Sequence, residues 1–288
     1  MLSFLIENTG IAISLVFILG LLVGSFLNVV ILRLPPRLDW AWRQEAREIL
    51  SMPEVYDLKP AGLAVERSAC PKCQHQLSAW ENIPLLSFIL LRGKCRSCET
   101  PISIQYPLVE LITAILFAIC IWRFGVTLQG GLALVFTAAL VALSGIDLRT
   151  GLLPDQITQP LLWLGLLASL YTVFIDPVSA ILGASIGYLS LWVVTRLFKL
   201  ITGKEGMGAG DFKLLAVMGA WCGVNAILPI IFLSSLVGAV IGIIWLKTSG
   251  KHKDTQIPFG QYLAIAGWIQ FISGADFFAL YMNWATGG

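Results

Sequence analysis

Two aspartates and four cysteines carry the chemistry open to this sequence. Asp211 follows Gly206, Gly208 and Gly210 in GMGAGDFK (residues 206–213) at the start of an apolar segment, and Asp147 closes an earlier apolar segment in GIDLRTGLLPD (residues 145–155). Charge at the end of a membrane segment is costly to place and marks function. Each acid also has an ordinary role to weigh: Asp147 as a helix-end group bonded into the following turn, Asp211 as an N-cap accepting first-turn amides. As a pair they offer more. Two carboxyls in a partly dry site share a proton, so the ionised one can activate water against a peptide carbonyl while the protonated one polarises the carbonyl oxygen or assists the leaving amine. The glycines allow close turns that leave Asp211 open to a cavity. Three further charged residues are weaker candidates. Lys213 could act on Asp211 or hold phospholipid, Asp155 could cap the helix that follows or support the pair from behind, and Glu110 should face another helix rather than lipid.

Cys70-Pro-Lys-Cys73 and Cys95-Arg-Ser-Cys98 are two CxxC pairs, and the stretch 74–94 between them is one a hairpin spans. Two turns can each present two thiolates to one tetrahedral Zn2+. Four protein ligands leave no open position, so the expected ion is structural and holds a small loop-rich domain together. Lys72, Arg92, Lys94 and Arg96 stand nearby to offset the excess negative charge. Paired redox cysteines and unrelated free thiols are the alternatives, and His75 could replace a ligand, touch substrate or simply face water. Cys120 and Cys222 lie alone in apolar segments and read as small core residues.

The elements that must position these groups are membrane helices. With 57% hydrophobic and 12% charged residues, the chain is too apolar for a soluble domain. Its first apolar run, about residues 11–32, is too long for a signal-peptide core, starts after an acidic end and lacks a small-residue cleavage site, so it reads as a retained span. Further apolar segments fall near 108–124, 128–146, 160–175, 178–197, 211–222, 226–246 and 262–282. The expected fold is an all-α polytopic membrane protein of about eight transmembrane helices, although 211–222 is short for a crossing. Residues 1–32 form the first span, 33–107 a small cytoplasmic domain with the zinc module between the first and second helices, and 108–288 a seven-helix domain carrying the aspartates. Within the polar region, residues 40–50 have the spacing of a short interfacial helix, with a solvated connector as the alternative.

Placing the N-terminus outside and alternating the spans puts eighteen of the nineteen Lys/Arg on or beside one face, Arg123 being the exception. That face is cytoplasmic by the positive-inside rule, and the same alternation brings Asp147 and Asp211 to it. The formal charge of +2 is divided among loops rather than gathered in a patch, so no nucleic-acid partner is expected.

The chain resembles the bacterial type IV prepilin peptidases, the prepilin leader peptidase/N-methyltransferases of the GxGD aspartyl protease type. The resemblance covers nearly the whole length and rests on GSFLNVVILRLP at 24–35, the CPKC…NIPLLSFILLRGKCRSC block at 70–98, PISIQYPLVELIT at 101–113, IDLRTGLLPD at 146–155 and GMGAGDFK at 206–213. It implies that Asp147 and Asp211 are the catalytic pair. It also implies cleavage of the basic leader from type IV prepilins and type II secretion pseudopilins at the cytoplasmic face of the bacterial inner membrane, after a glycine. Methylation of the new N-terminus from S-adenosylmethionine would follow. No strand-linked glycine fingerprint marks a cofactor site, and the polar region 33–107 is where one is expected by exclusion. Acidic groups such as Asp155 or Glu205 could attract the leader or be solvated. Gln261 in IPFGQYLA stands where that family commonly has proline, and a modest packing change is expected. A peptidase without methylation, a transporter binding a cation at its membrane-end acids, and a zinc-stabilised assembly adaptor are the competing readings.

Overall fold

The computed structural model describes residues 8–53, 57–63, 66–78, 80–204, 206–249 and 259–274, with side chains in the last stretch of the eighth helix, 242–249, left aside. Glu205 and the end of the final expected span, beyond residue 274, lie outside the described residues. All regular structure described is helical apart from two isolated β-bridges. In chain order the α-helices are α1 (Thr9–Ile49), α2 (Leu86–Leu90), α3 (Gln105–Phe124), α4 (Leu128–Thr150), α5 (Asp155–Ser169), α6 (Pro177–Thr202), α7 (Ala209–Cys222), α8 (Ile227–Ser249) and α9 (Gly260–Ser273).

Among the described residues, five helical stretches are long and apolar enough to cross a membrane: α1, α3, α4, α6 and residues Val224–Ile241. The chain is thus an all-α polytopic membrane protein with a cysteine cluster near its N-terminal helices that could bind a metal. It divides into two compact units, Met1–Ala142 and Leu143–Gly288, and the boundary falls inside α4.

In the first unit α1 does not stop at residue 32. It runs 41 residues, about 60 Å, with Pro35 and Pro36 inside it. Interior prolines cost a helix about 3 kcal/mol or more, so something must hold this one together. Carbonyls of residues 57–62 and of Glu66 do so by accepting from the outer turns. Arg33 Nη1 donates to Gly62 O at 2.7 Å and Glu66 O at 2.9 Å, Arg37 Nη1 to Pro60 O at 3.1 Å, and Trp40 Nε1 to Asp57 O at 3.2 Å. Residues 40–49 are therefore helical, as their spacing predicts, but continue α1 beyond the first span rather than forming a separate piece. Nearer its start, α1 meets α3 backbone to backbone: a Cβ on Gly20 would lie 2.5 Å from Ala114 Cα, and one on Gly24 2.7 Å from Glu110 Cα. Small residues one turn apart give membrane helices this close approach.

The second unit is built around α7. Every residue from Leu214 to Trp221 is buried, and α5, α6 and α9 pack against the helix. A helix that is apolar on all sides belongs inside a protein. Because its neighbours are side chains rather than lipid, α7 need not reach membrane length, which explains the shortness of 211–222. Trp221 Nε1 donates to Leu161 O of α5 at 2.9 Å, and Phe212 sets its ring edge-on to Tyr188 of α6 at 5.9 Å. α7 is thereby fixed at both ends.

Candidate active site and metal centre

Asp147 lies in the last turn of α4, where its backbone carbonyl accepts the Gly151 amide at 2.8 Å. Gly151, at φ +67°, then turns the chain out of the helix and into the LLPD segment. The Asp147 side chain does not bond into that turn. Only 3% exposed, it accepts the backbone N–H of Gln261, at the start of α9, through Oδ2 at 3.1 Å. Gly260 makes this possible, since a Cβ there would sit 3.1 Å from Asp147 Oδ2 and 2.8 Å from Leu153 Cδ1.

Asp211 lies in the first turn of α7, beyond the N-cap Gly208, and makes no side-chain capping bond. The N-cap role considered for it from sequence is therefore not the one it has. Its carboxyl is 8% exposed and Oδ1 is buried without a hydrogen-bond partner. Such an orphaned acceptor costs stability unless it serves another purpose. Asp147 is near enough for its charge to act on Asp211. Leu153 is wedged between the two approaches: it packs on Gly210, where a Cβ would come within 2.8 Å, and on Gly260 beside Asp147. The second unit thus brings together both aspartates predicted as a pair, from helices well separated in sequence.

Other candidates find different partners. Lys213 Nζ bonds both oxygens of Asp155, at 2.7 and 2.8 Å, tying the LLPD segment to α7. Pro154, not Asp155, is the N-cap of α5. Glu110 in the first unit is buried against α1 and accepts the Leu85 amide at 2.9 Å. The backbone amide of Gln261 was not visible from residue type. A proline there would deprive Asp147 of this donor, so the position bears on the acid's electrostatics and not only on packing.

The four cysteines come together in the first unit. Their sulfurs lie within 4.8 Å of one another, with Cys70–Cys98 at 3.8 Å and Cys73–Cys95 at 3.9 Å. A tetrahedron with metal–sulfur bonds of about 2.3 Å has edges of about 3.8 Å, so the cage has the size of a zinc site. Each CxxC forms the same turn. In the first, Cys70 N donates to His75 O and Gln74 N to Cys70 O; in the second, Cys95 N donates to Thr100 O and Glu99 N to Cys95 O, all at 2.9 Å. Gln74 and Glu99 take matching positive φ values of 59° and 55°, and the bridges Ala69–Gln76 and Lys94–Pro101 close the two turns.

The Thr100 hydroxyl and amide hold the Cys98 thiol at about 6, in the thiolate range a metal needs. At Cys73 the His75 amide also favours the anion, but desolvation and the other three sulfurs outweigh it and push the thiol to about 11. That crowding is what a divalent cation would relieve. His75 stands outside the four-sulfur cluster, with its Nε2 3.3 Å from Glu81 Oε1. Hydrogen bonds from the Ser78 hydroxyl and amide, joined by His75, hold the buried Glu81 carboxyl at about 2.

Residues 18–124 match the family model described as the bacterial peptidase A24 N-terminal domain, and residues 134–243 match the type IV leader peptidase family. A prepilin leader peptidase/N-methyltransferase of Xanthomonas campestris pv. campestris is 56% identical over 284 residues, covering 99% of each chain. The chain belongs to the type IV leader peptidase family. Enzymes of the same description from Pseudomonas aeruginosa (48% identical, covering 99% of this chain and 98% of its own) and Neisseria gonorrhoeae (46%, covering 96% and 95%) extend the likeness over nearly the full length. No solved structure matches it.

Proposed function

We propose that this chain is a bifunctional inner-membrane enzyme that cleaves the leader from type IV prepilins and type II secretion pseudopilins and then N-methylates the new N-terminus. Asp147 and Asp211 are the catalytic residues. The observation that supports this reading is that Leu153 packs both on Gly210, next to Asp211, and on Gly260, against the Asp147 carboxylate, while Asp211 Oδ1 is buried and partnerless. The donor from Gln261 suits Asp147 to be the ionised member, and Asp211 to carry the proton. Asp147 takes a proton from water as the oxygen attacks the scissile carbonyl, and Asp211 donates to the carbonyl oxygen. Collapse of the tetrahedral adduct returns that proton to Asp211, and the departing amine takes the proton held by Asp147. The Asp155–Lys213 pair fixes the two approaches to the site.

The finer architecture goes with this function. Eight helices, α1 and α3–α9, are read as the transmembrane segments; the shorter α5, α7 and α9 complete the bundle around the acids. Residues 1–32 form the first segment, 33–107 the cytoplasmic domain, and 108–288 the membrane domain with the active site facing the cytoplasm. Cys70, Cys73, Cys95 and Cys98 hold a structural Zn2+, which cross-links the two CxxC turns when bound. S-adenosylmethionine supplies the methyl group when bound. Its site is assigned to the 33–107 region and its membrane edge, where Asn28 Oδ1 is a buried acceptor with no donor and Asn28 Nδ2 is held by Tyr106 O at 3.1 Å.

Purified protein in lipid, incubated with a prepilin, tests the reading by product mass. Wild type should remove the leader and, with S-adenosylmethionine, add one methyl group. Retained cleavage by folded Asp147→Asn and Asp211→Asn variants would overturn the catalytic assignment. Methylation of an already cleaved substrate separates the bifunctional enzyme from a peptidase alone.

A further inference from the structure

Segment 83–90 presents apolar residues that no described residue of its own unit covers. No residue of α2 is buried, and Ile89 and Leu90 are 68% and 63% exposed, with Ile83 and Leu86 also open. Pro84 is buried, and Leu85 and Phe88 are half-buried, Phe88 against the Gly93 turn, where a Cβ would meet its ring at 3.0 Å. The residue that leads into α3, Ile104, is 73% exposed.

The depth of this segment is fixed by one bond. Leu85 N donates to Glu110 Oε2 at 2.9 Å, and Glu110 lies more than a turn beyond the start of α3 at Gln105. Helical rise places it about 7.5 Å inside the end of that helix. α3 has 20 residues, a length of about 30 Å that the hydrocarbon thickness fully uses. Leu85 is thus held more than a turn inside the start of α3. The chain accepts strain to put it there: Leu85 has φ +58° and ψ −47°, and Leu86 N reaches Pro84 O at 2.6 Å in the rare γ-turn of positive φ. Such a turn persists where its surroundings over-determine it, here through the buried Glu110 carboxyl. Arg92, Lys94 and Arg96 follow directly, where the chain leaves the apolar stretch.

We propose that residues 83–90 form an interfacial hairpin immersed in the lipid leaflet beside α3, with acyl chains covering Ile83, Leu86, Ile89 and Leu90 and the basic residues meeting anionic headgroups. Amphipathic segments at interfaces bury their apolar face about 5–10 Å deep, which matches the level of Glu110. Arg96 stacks on Trp80 at 5.0 Å, an amphipathic pair suited to the headgroup zone. The hairpin joins the two CxxC turns, so lipid holds the cysteine module at the membrane surface. This inference needs the membrane reading of α3 and is independent of the peptidase assignment.

A photo-crosslinking residue (benzoyl-phenylalanine) at position 89 or 90 tests it, with the full chain in vesicles of phosphatidylethanolamine and phosphatidylglycerol. Position 58, where Leu58 is 81% exposed in the polar segment, serves as control. Positions 89 and 90 should give at least about fivefold more lipid adduct than 58, unchanged by added prepilin, with zinc content intact. No excess over 58, or lipid adduct replaced by prepilin adduct, overturns the proposal. In the position-89 protein, Glu110→Leu should cut lipid adduct severalfold, while Glu110→Gln, which keeps an acceptor for Leu85 N–H, should retain it. Equal labelling in both would remove Glu110 as the anchor.

Discussion

The cysteine module and the acid pair reach their geometry by opposite routes. Each CxxC turn is completed by the amides and carbonyls of its own immediate neighbours, and the second turn repeats the first bond for bond. The acids depend on contacts between distant parts of the chain, made by glycines that bring α9 against Asp147 and α7 against Leu153. A local site tolerates change elsewhere in the fold; a site assembled from distant helices does not. Perturbing one should leave the other intact.

The largest separation should come from the acids themselves. Asp147→Asn or Asp211→Asn should lower the kcat/KM of prepilin cleavage about 10³–10⁴-fold, with zinc per chain by elemental analysis unchanged. Cys98→Ser is the converse: zinc affinity should fall roughly 100-fold or more by competition with a chelator, while leader cleavage persists. Gly260→Ala probes the contact between α9 and Asp147. Its methyl must displace Leu153 or the carboxyl, and a misplacement of about 1 Å should slow cleavage about 10–100-fold without altering zinc binding.

The smallest effect falls on Glu81. Glu81→Gln should weaken zinc affinity roughly 10-fold through the loosened link to His75 and Ser78. Because the Glu81 carboxyl is held at about 2 against an ordinary 4.5, its bonds stabilise the folded module fully above about 4.5 and are lost as pH falls toward 2. The protection of the Ser78 amide in hydrogen exchange should therefore exceed that of the glutamine variant above pH 4.5, with the gap closing below it.

The two routes also explain what could be read from sequence. CxxC spacing announces a metal cage because both the ligands and their turns are written locally; the return of the SACPKCQHQ pattern as GKCRSCETP was a further signal, missed because only the cysteines match. Asp147 and Asp211 were legible as a pair through topology and their glycine-rich surroundings. Hidden from the sequence was what each acid touches. The donor to Asp147 is a backbone amide, which any residue but proline supplies, and the bond between Asp155 and Lys213 joins two residues that the sequence weighed separately. The first apolar run ends near residue 32, yet α1 continues through Pro35 and Pro36 because Arg33 and Arg37 bind the carbonyls of Pro60, Gly62 and Glu66, contacts no periodicity encodes. The depth of residues 83–90 was likewise invisible, since it rests on one bond between Leu85 and Glu110.

The central claim is that Asp147 and Asp211 work as one unit, and the Asp147→Asn/Asp211→Asn double variant tests it most directly in a prepilin-cleavage assay alongside both singles. A shared site predicts that the double variant is no slower than the slower single, because either change already disables the pair. Losses that multiply, or a single variant that cleaves at the wild-type rate, would contradict it.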